Sequence, residues 1–307
     1  MLNLSIMKTV ISLKGLTKKY GKTTAVNKLD IQVEAGEIHG FVGPNGAGKT
    51  TTIKLILNLI KPSAGQIKIM GQDVNFGDIS YLPNIGFLSS DEELPTNSTA
   101  NQLLKLTANL NKLNKQFISQ LIEAFELEGL LDTKLKQLSR GNQRKISVLL
   151  ALCSDAKVLI LDEPTEGLDP LMQERFYKIL INRAKNGSTI FFSSHNLAEV
   201  QKICTKISFI KKGSIVRTAK IDELGGISIK KIELHFSSVP DEAAISLIKR
   251  LAVNSEFSKI NSKAYILKFS GDYTELLQNL AKLKLTNLNI QDVDLESIFL
   301  KMYSEVK

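Results

Sequence analysis

From Gly43 to Thr50 the chain reads Gly-Pro-Asn-Gly-Ala-Gly-Lys-Thr, and Thr51 follows. These residue types at this spacing suit one task. Gly43, Gly46 and Gly48 let the backbone curl until its N–H groups converge on phosphate oxygens. Lys49 offers a point charge to β- and γ-phosphates, and the Thr50 hydroxyl offers an oxygen ligand to Mg²⁺. Pro44, Asn45 and Ala47 complete the pattern G-x-x-x-x-G-K-[ST], which requires a strand before it and a helix after it. Far downstream, the apolar run Val158–Leu161 ends in Asp162-Glu163. Carboxylates at the carboxyl edge of a parallel sheet stand where such folds bind ligands. Asp162 is expected to hold Mg²⁺, in part through water because that ion dehydrates reluctantly. Glu163 is expected to polarise an attacking water as general base.

Two further stretches carry chemistry. "STIFFSSH" ends at His195. A lone histidine is more often structural, but the end of a core strand is where a γ-phosphate contact or an oriented water would be needed. His39 and His235 have no such context and read as structural. The stretch "LSRGNQRK", Leu138–Lys145, puts a small hydroxyl residue, a glycine and a cluster of donors just before an apolar helix. Free N–H groups and the helix dipole make such a start a second anion site. One chain therefore carries two phosphate-type sites, far apart in sequence.

The elements that must position these groups are legible in outline. Glu37–Val42 is a short apolar strand leading into the phosphate loop. Ile53, Ile56, Leu57 and Ile60 recur at helical spacing after it, so one face of that helix packs on a sheet. Val158–Leu161 has the unbroken apolarity of a central parallel strand. Residues from about 96 to 153 show helical spacing, for example Leu103, Leu106, Leu110 and Leu113. After a hinge "ELGGIS" at Glu223–Ser228, the segment 227–307 changes character. Ile232, Leu234 and Phe236 alternate as in a half-buried strand, and Tyr265, Leu267 and Phe269 do the same. Helical stripes are expected at Ala244, Leu247, Ile248 and Leu251, at Leu276–Leu283, and at Leu295, Ile298, Phe299 and Met302. That makes a small α+β domain without a catalytic constellation.

Bulk properties narrow the classes. The chain has 307 residues and 43% hydrophobic content, enough for a large core and more than one domain. No run approaches the length of apolar residues that spans a bilayer, and the N-terminus lacks the features of a signal peptide. Met7 would serve as an initiator, since the strand-like pattern begins just after it. Cys153 and Cys204 fit no metal or redox spacing and read as buried, reduced thiols. The net charge of +9 comes mostly from lysine spread along the chain. Nucleic acid, an anionic membrane surface and a solvated lysine coat are all compatible with it. Aromatic content is only 6%, without tryptophan, so the solvated coat is the plainest reading and nucleic acid is not expected.

Taken in order, Gly43–Thr50, Leu138–Asn142, Leu161–Pro164, Gly167–Pro170 and Ser193–His195 resemble the ATP-binding subunit of ABC transporters. The resemblance covers roughly residues 8 to 220, and the ATP-binding domain it implies spans 8–222. It implies a P-loop α/β core with a mostly parallel sheet, an N-terminal antiparallel β-subdomain and a helical subdomain at about 96–153. In that family two ATPase subunits pair head to tail, and each ATP lies between one phosphate loop and the other chain's signature motif. Ser139 and Gly141 would then face ATP bound by a partner, with Arg140 and Asn142 at the variable places of LSRGN. Asp169 would link the two sites. Tyr20 matches the aromatic residue that stacks on adenine, with Val26 packing nearby. Where the family has glutamine or glutamate, this chain has Ser90, with Asp91 or Glu92 as candidate substitutes. The tail resembles the accessory domain of drug, bacitracin and lantibiotic exporters, with a role in dimer support or regulation. The resemblance thus implies ATP and Mg²⁺ as ligands, a homodimer, a separate transmembrane permease, export, and a place at the cytoplasmic face of the membrane. A soluble ABC-type ATPase with a non-transport partner is the alternative. Translation-factor ATPases of this class carry two cassettes, and chromosome-structure ATPases insert a long coiled coil before the signature. P-loop kinases and GTPases lack both Leu138–Asn142 and His195.

Overall fold

In a computed structural model of the chain, the described residues are 8–90, 94–110, 113, 115–225, 230–253 and 256–292. Its first half opens with two long strands, β1 (Thr9–Tyr20) and β2 (Thr23–Glu34), paired antiparallel. Their inward residues Ile11, Leu13, Leu16, Val26, Leu29 and Val33 are buried. Next come β3 (Ile38–Val42) and α1 (Lys49–Ile56). Strands β4 (Ala64–Ile69) and β5 (Gln72–Asp73) then complete a sheet of order β2-β1-β4-β5, which is antiparallel throughout. Strand β6 (Ile85–Leu88) opens the second half of this unit, and helices α2 (Ala100–Leu110), α3 (Lys115–Ala124) and α4 (Arg140–Leu152) follow it. The chain returns to the core through β7 (Val158–Asp162), α5 (Pro170–Lys185), β8 (Thr189–Ser194) and α6 (Leu197–Ile203). It closes with β9 (Lys206–Lys211) and β10 (Ser214–Lys220).

The second sheet has the order β10-β9-β3-β8-β7-β6. Pairings β9–β3, β3–β8, β8–β7 and β7–β6 are parallel. Every residue of β3, β7 and β8 is buried, as in central parallel strands covered on both faces, and Val158–Leu161 is the unbroken apolar run among them. Parallel strands all end on one side, so β3, β7 and β8 deliver the residues after Val42, Leu161 and Ser193 to a single edge. Helix α1 buries Ile53, Leu55 and Ile56 beside Phe41, Val158, Ile160 and Phe191. Each such side chain contributes roughly 1.5–3 kcal/mol relative to exposure. That clamps the helix, and with it the phosphate loop, to the sheet.

Chain contacts divide at residue 219/220 into two units. The second begins with the short helix α7 (Ile221–Gly225) and continues as β11 (Lys230–Phe236), α8 (Glu242–Leu251), β12 (Phe257–Asn261), β13 (Ala264–Phe269), α9 (Tyr273–Leu280) and β14 (Leu285–Asp292). Its four strands form a sheet of order β12-β13-β11-β14, with antiparallel pairs. Ile232, Leu234, Ile248, Leu267 and Leu276 make a core of its own.

Some expectations need correction. Of the expected stripe Leu103, Leu106, Leu110 and Leu113, two members do not lie on the packed face of α2. Ala100 and Leu104 are buried, Leu106 is 58% exposed, and Leu113 lies beyond the helix, bridged to Ser154. The helical spacing existed, but leucines sit on more than one face and burial selected another. The hinge beginning at Glu223 overlaps α7, so its first residues are helical. Strands β12 and β14 were not anticipated: polar residues dominate both, and sheet pairing rather than composition makes them strands. The last helical stripe, Leu295–Met302, lies outside the described residues.

Candidate active site

The N-terminus of α1 is built by close backbone approach. Gly48 is its N-cap at φ 110°, and no side chain caps the helix. A Cβ on Gly48 would stand 2.6 Å from the Ala25 carbonyl oxygen, and one on Gly43 would stand 2.4 Å from that of Ile210. No other residue type fits either place without moving backbone. The loop wraps Lys49, which is 6% exposed. Its Nζ donates to the Gly43 carbonyl at 2.7 Å and to that of Pro44 at 3.4 Å. The same ammonium pairs with Glu163 Oε1 at 3.2 Å.

Asp162 ends β7 almost fully buried. Its two oxygens accept from the Thr50 hydroxyl at 2.9 Å and the Ser193 hydroxyl at 2.5 Å. The next residue, Glu163, has a left-handed backbone at φ 45°. Its N–H donates to the Ser193 carbonyl at 3.2 Å. Its carboxylate reaches Lys49 on one side and His195 Nδ1 on the other, at 2.9 Å. His195 follows the end of β8, with its side chain 54% exposed. Lys49, Thr50, Glu163 and His195, together with Asn45, Gly46, Gly48, Thr51 and Ser90, line a hollow of about 630 Å³.

This arrangement fits a nucleoside triphosphate. The glycine-formed cradle faces the hollow, and a lysine charge is already inside it. The Thr50 and Asp162 oxygens touch each other, a hard oxygen donor pair suited to Mg²⁺. Among the described residues no three His, Cys, Asp or Glu side chains converge into a metal cage. A cation held by these two residues would complete its shell from phosphate and water, the usual habit of Mg²⁺.

The stretch expected as a second anion site stands apart from the hollow. Ser139 caps α4, and its Oγ accepts from the Asn142 N–H at 3.3 Å. The hydroxyl proton remains a donor. Ser139 and Arg140 are exposed, and Gly141 and Asn142 partly so. Gln143 fixes the preceding turn by donating to the carbonyls of Leu135 and Leu138 at 2.8 and 3.2 Å. Asp169, also exposed, caps α5 by accepting from the Met172 N–H at 3.0 Å. None of Ser139–Asn142 and Asp169 lines the hollow.

Other expected residues fall variously. Tyr20 is half exposed at the end of β1, with the Lys18 ammonium 4.9 Å from its ring centroid. Val26 is fully buried in the core, and its neighbour Ala25 lines the hollow instead. Alternation along β2 decides this: successive side chains point to opposite faces. Ser90 Oγ lies 3.5 Å from Asp162 Oδ2, while Asp91 and Glu92 fall outside the described residues. His39 is fully buried, between Glu37 at 2.5 Å and the Ser208 hydroxyl at 2.9 Å. Burial pushes its pKa below the ordinary value, which favours the neutral ring. His235 pairs with Glu233 at 2.8 Å in the second unit. Both cysteines are buried and free, and burial raises the Cys153 thiol to about 11.

Sequence reasoning missed several contributors. Glu166 lines the hollow. Glu199 is buried and accepts from the Thr165 and Ser194 hydroxyls at 2.9 and 3.1 Å, and burial raises its pKa. Arg144 forks between the carbonyls of Ser89 and Glu163, at 2.6 and 2.7 Å. The only sequence signal for Arg144 was its place among the donors of "LSRGNQRK".

The family described as ABC transporter matches residues 26–166. Over 301 residues the chain is 30% identical to the bacitracin transport ATP-binding protein BcrA of Enterococcus faecalis, covering 97% of each chain. Among solved structures it resembles an ATP-binding subunit of an ABC transporter, at 27% identity and TM-score 0.66, over 70% of this chain and 92% of that one. It also resembles a bacterial ABC transporter cassette solved as a dimer, at 25% identity and TM-score 0.62, over 69% and 98%.

Proposed function

We propose a working cycle on one premise: the chain belongs to the ABC transporter family, as an ATP-binding subunit that hydrolyses ATP. Two copies pair head to tail, and each ATP is held by the phosphate loop of one copy and by Ser139 and Gly141 of the other. Pairing pulls on a separate transmembrane permease, which exports its substrate. The conduit belongs to that partner, and this chain works at the cytoplasmic face; among the described residues no helix is long and apolar enough to cross a membrane. Export is favoured by the likeness to a Nod factor export ATP-binding protein, 33% identical over 207 residues, and the likeness to the bacitracin transport protein extends over the tail as well as the core. Residues 8–222 serve as the ATP-binding domain, and 227–307 as an accessory domain that supports the pair.

In the chemical step, the curled backbone and Lys49 hold the β- and γ-phosphates. Thr50 and Asp162 would hold Mg²⁺, which supplies charge neutralisation at the phosphates when bound. Glu163 accepts the proton of the attacking water, and His195 orients the Glu163 carboxylate from its far side. Tyr20, at the rim of β1, stacks on the base, and Ser90 bonds to Asp162. The observation that carries this reading is the position of Glu163. One carboxylate touches both the phosphate-loop Lys49 and His195 beyond the end of β8.

Glu163→Gln keeps the shape of the side chain and removes the base. Light scattering of that protein is expected to show monomer alone and dimer with Mg-free ATP, with turnover lost and ATP still bound. A protein that stays monomeric with ATP demonstrably bound overturns the shared site. Normal hydrolysis removes Glu163 from the base role.

A further inference from the structure

Helix α4 begins at the signature residues and runs back into the core of the same chain. Its Arg144 lies five positions after Ser139, about 7.5 Å further along the axis at 1.5 Å per residue. There the guanidinium donates from Nη1 to the Ser89 carbonyl at 2.6 Å and from Nη2 to the Glu163 carbonyl at 2.7 Å. Ser89 directly follows β6 and precedes Ser90, which lines the hollow. A side chain grown on Gly167 would meet Arg144 Cγ at 3.8 Å, and one grown on Gly141 would meet the Gly167 carbonyl at 3.7 Å. The first turns of α4 therefore lie against the Gly167 turn, the segment after β6 and the residue proposed as base.

We propose that Arg144 is a positioning residue for hydrolysis, one that ties the signature end of α4 to this chain's own Glu163. The backbone of Glu163 is left-handed, a conformation that L-residues other than Gly, Asn and Asp adopt rarely and only when their surroundings hold them. Ser193 takes the Glu163 N–H, and the Glu163 carbonyl accepts from the Glu166 N–H at 3.3 Å and, at 2.7 Å, from Arg144, whose side chain brings α4 to this turn. A planar guanidinium can serve two carbonyls at once in a fixed fork. A shift of α4 is therefore passed to the Glu163 backbone and to Ser89 together. This rests on the reading that Ser139 engages ATP held by a second copy. The helix that senses the partner's nucleotide then sets the base for the chain's own.

The test measures kcat, KM and ATP affinity of Arg144→Gln and Arg144→Lys, with thermal midpoints for each. Arg144→Gln is expected to lose about tenfold or more in kcat, since small misplacements of a reacting group are costly. Its ATP affinity should stay within about twofold of the parent's, because Arg144 touches no part of the phosphate cradle. Arg144→Lys serves one carbonyl and should fall between. Parental kcat in Arg144→Gln overturns the role. Affinity, kcat and midpoint falling together in both variants overturns it too, because that pattern marks a merely structural contact. Ser139→Arg tells the two readings apart. Full activity there ends the shared site and with it the coupling, whereas lost activity there beside an unaffected Arg144→Gln ends the positioning role alone.

Discussion

Helices α1 and α4 both begin without an acidic residue in the first turn, so each leaves a positive helix end open to an anion. They solve the problem in opposite ways. The start of α1 has no side-chain cap, is enclosed by a loop in which Gly43 and Gly48 admit no Cβ, and already contains a buried ammonium. The start of α4 is capped by its own serine, is exposed, and has a guanidinium directed back into its own chain rather than outward. A site that one chain completes can bury its charge. On the proposed shared-site reading, the start of α4 stays open at the surface because a second chain completes it, and it keeps a connection to the interior through Arg144.

Three changes put that contrast under strain. Lys49→Ala carries the largest effect. It removes the charge from the enclosed site and leaves Glu163 Oε1 without its ion pair, so turnover should fall at least about 10²-fold and ATP affinity at least about tenfold. Isothermal titration and phosphate release measure the two. Near-parental affinity would mean that the backbone cradle alone binds the nucleotide. Ser139→Arg is expected to cost about tenfold or more in turnover at saturating ATP while affinity for a single chain is unchanged, because a long cation blocks the open site. If affinity falls in step with turnover, the two helix ends belong to one site and the contrast fails. Ser139→Ala is the mildest. Losing the cap should cost about 1 kcal/mol in urea unfolding, and a neutral result would leave the Ser139 hydroxyl with no part in holding the helix.

The enclosed site was largely legible from sequence, because its demands are local. Curling the backbone needs glycine at Gly43 and Gly48, and a lysine and hydroxyl must follow at once. Asp162 and Glu163 were legible because a buried strand ends in charge only for a reason. What stayed hidden depends on which way a side chain faces or on a distant backbone. Val26 and Ala25 differ by one residue, and the pleat of β2 alone decides which meets the hollow. The burial of Leu104 rather than Leu106 depends on where α2 lands. The Arg144 fork binds two carbonyls, at Ser89 and Glu163, and no residue type in the sequence betrays a backbone acceptor. Strands β12 and β14 exist because β13 and β11 offer them an edge, which composition does not record.

The left-handed backbone at Glu163 has a bearing on sequence drift. Two sieves act on that codon, and they pass different residues. The chemical sieve admits only a carboxylate of the right reach. The conformational sieve rejects valine, isoleucine and threonine, whose branched Cβ makes a positive φ a true outlier, and favours asparagine, aspartate and glycine. Chains that lose their activity by drift are therefore expected to pass through Asn, Asp or Gly at this position while keeping the fold intact. A folded descendant with valine there would need a rebuilt turn around it. Idle copies of the gene would carry the imprint of the turn's geometry long after the chemistry had gone.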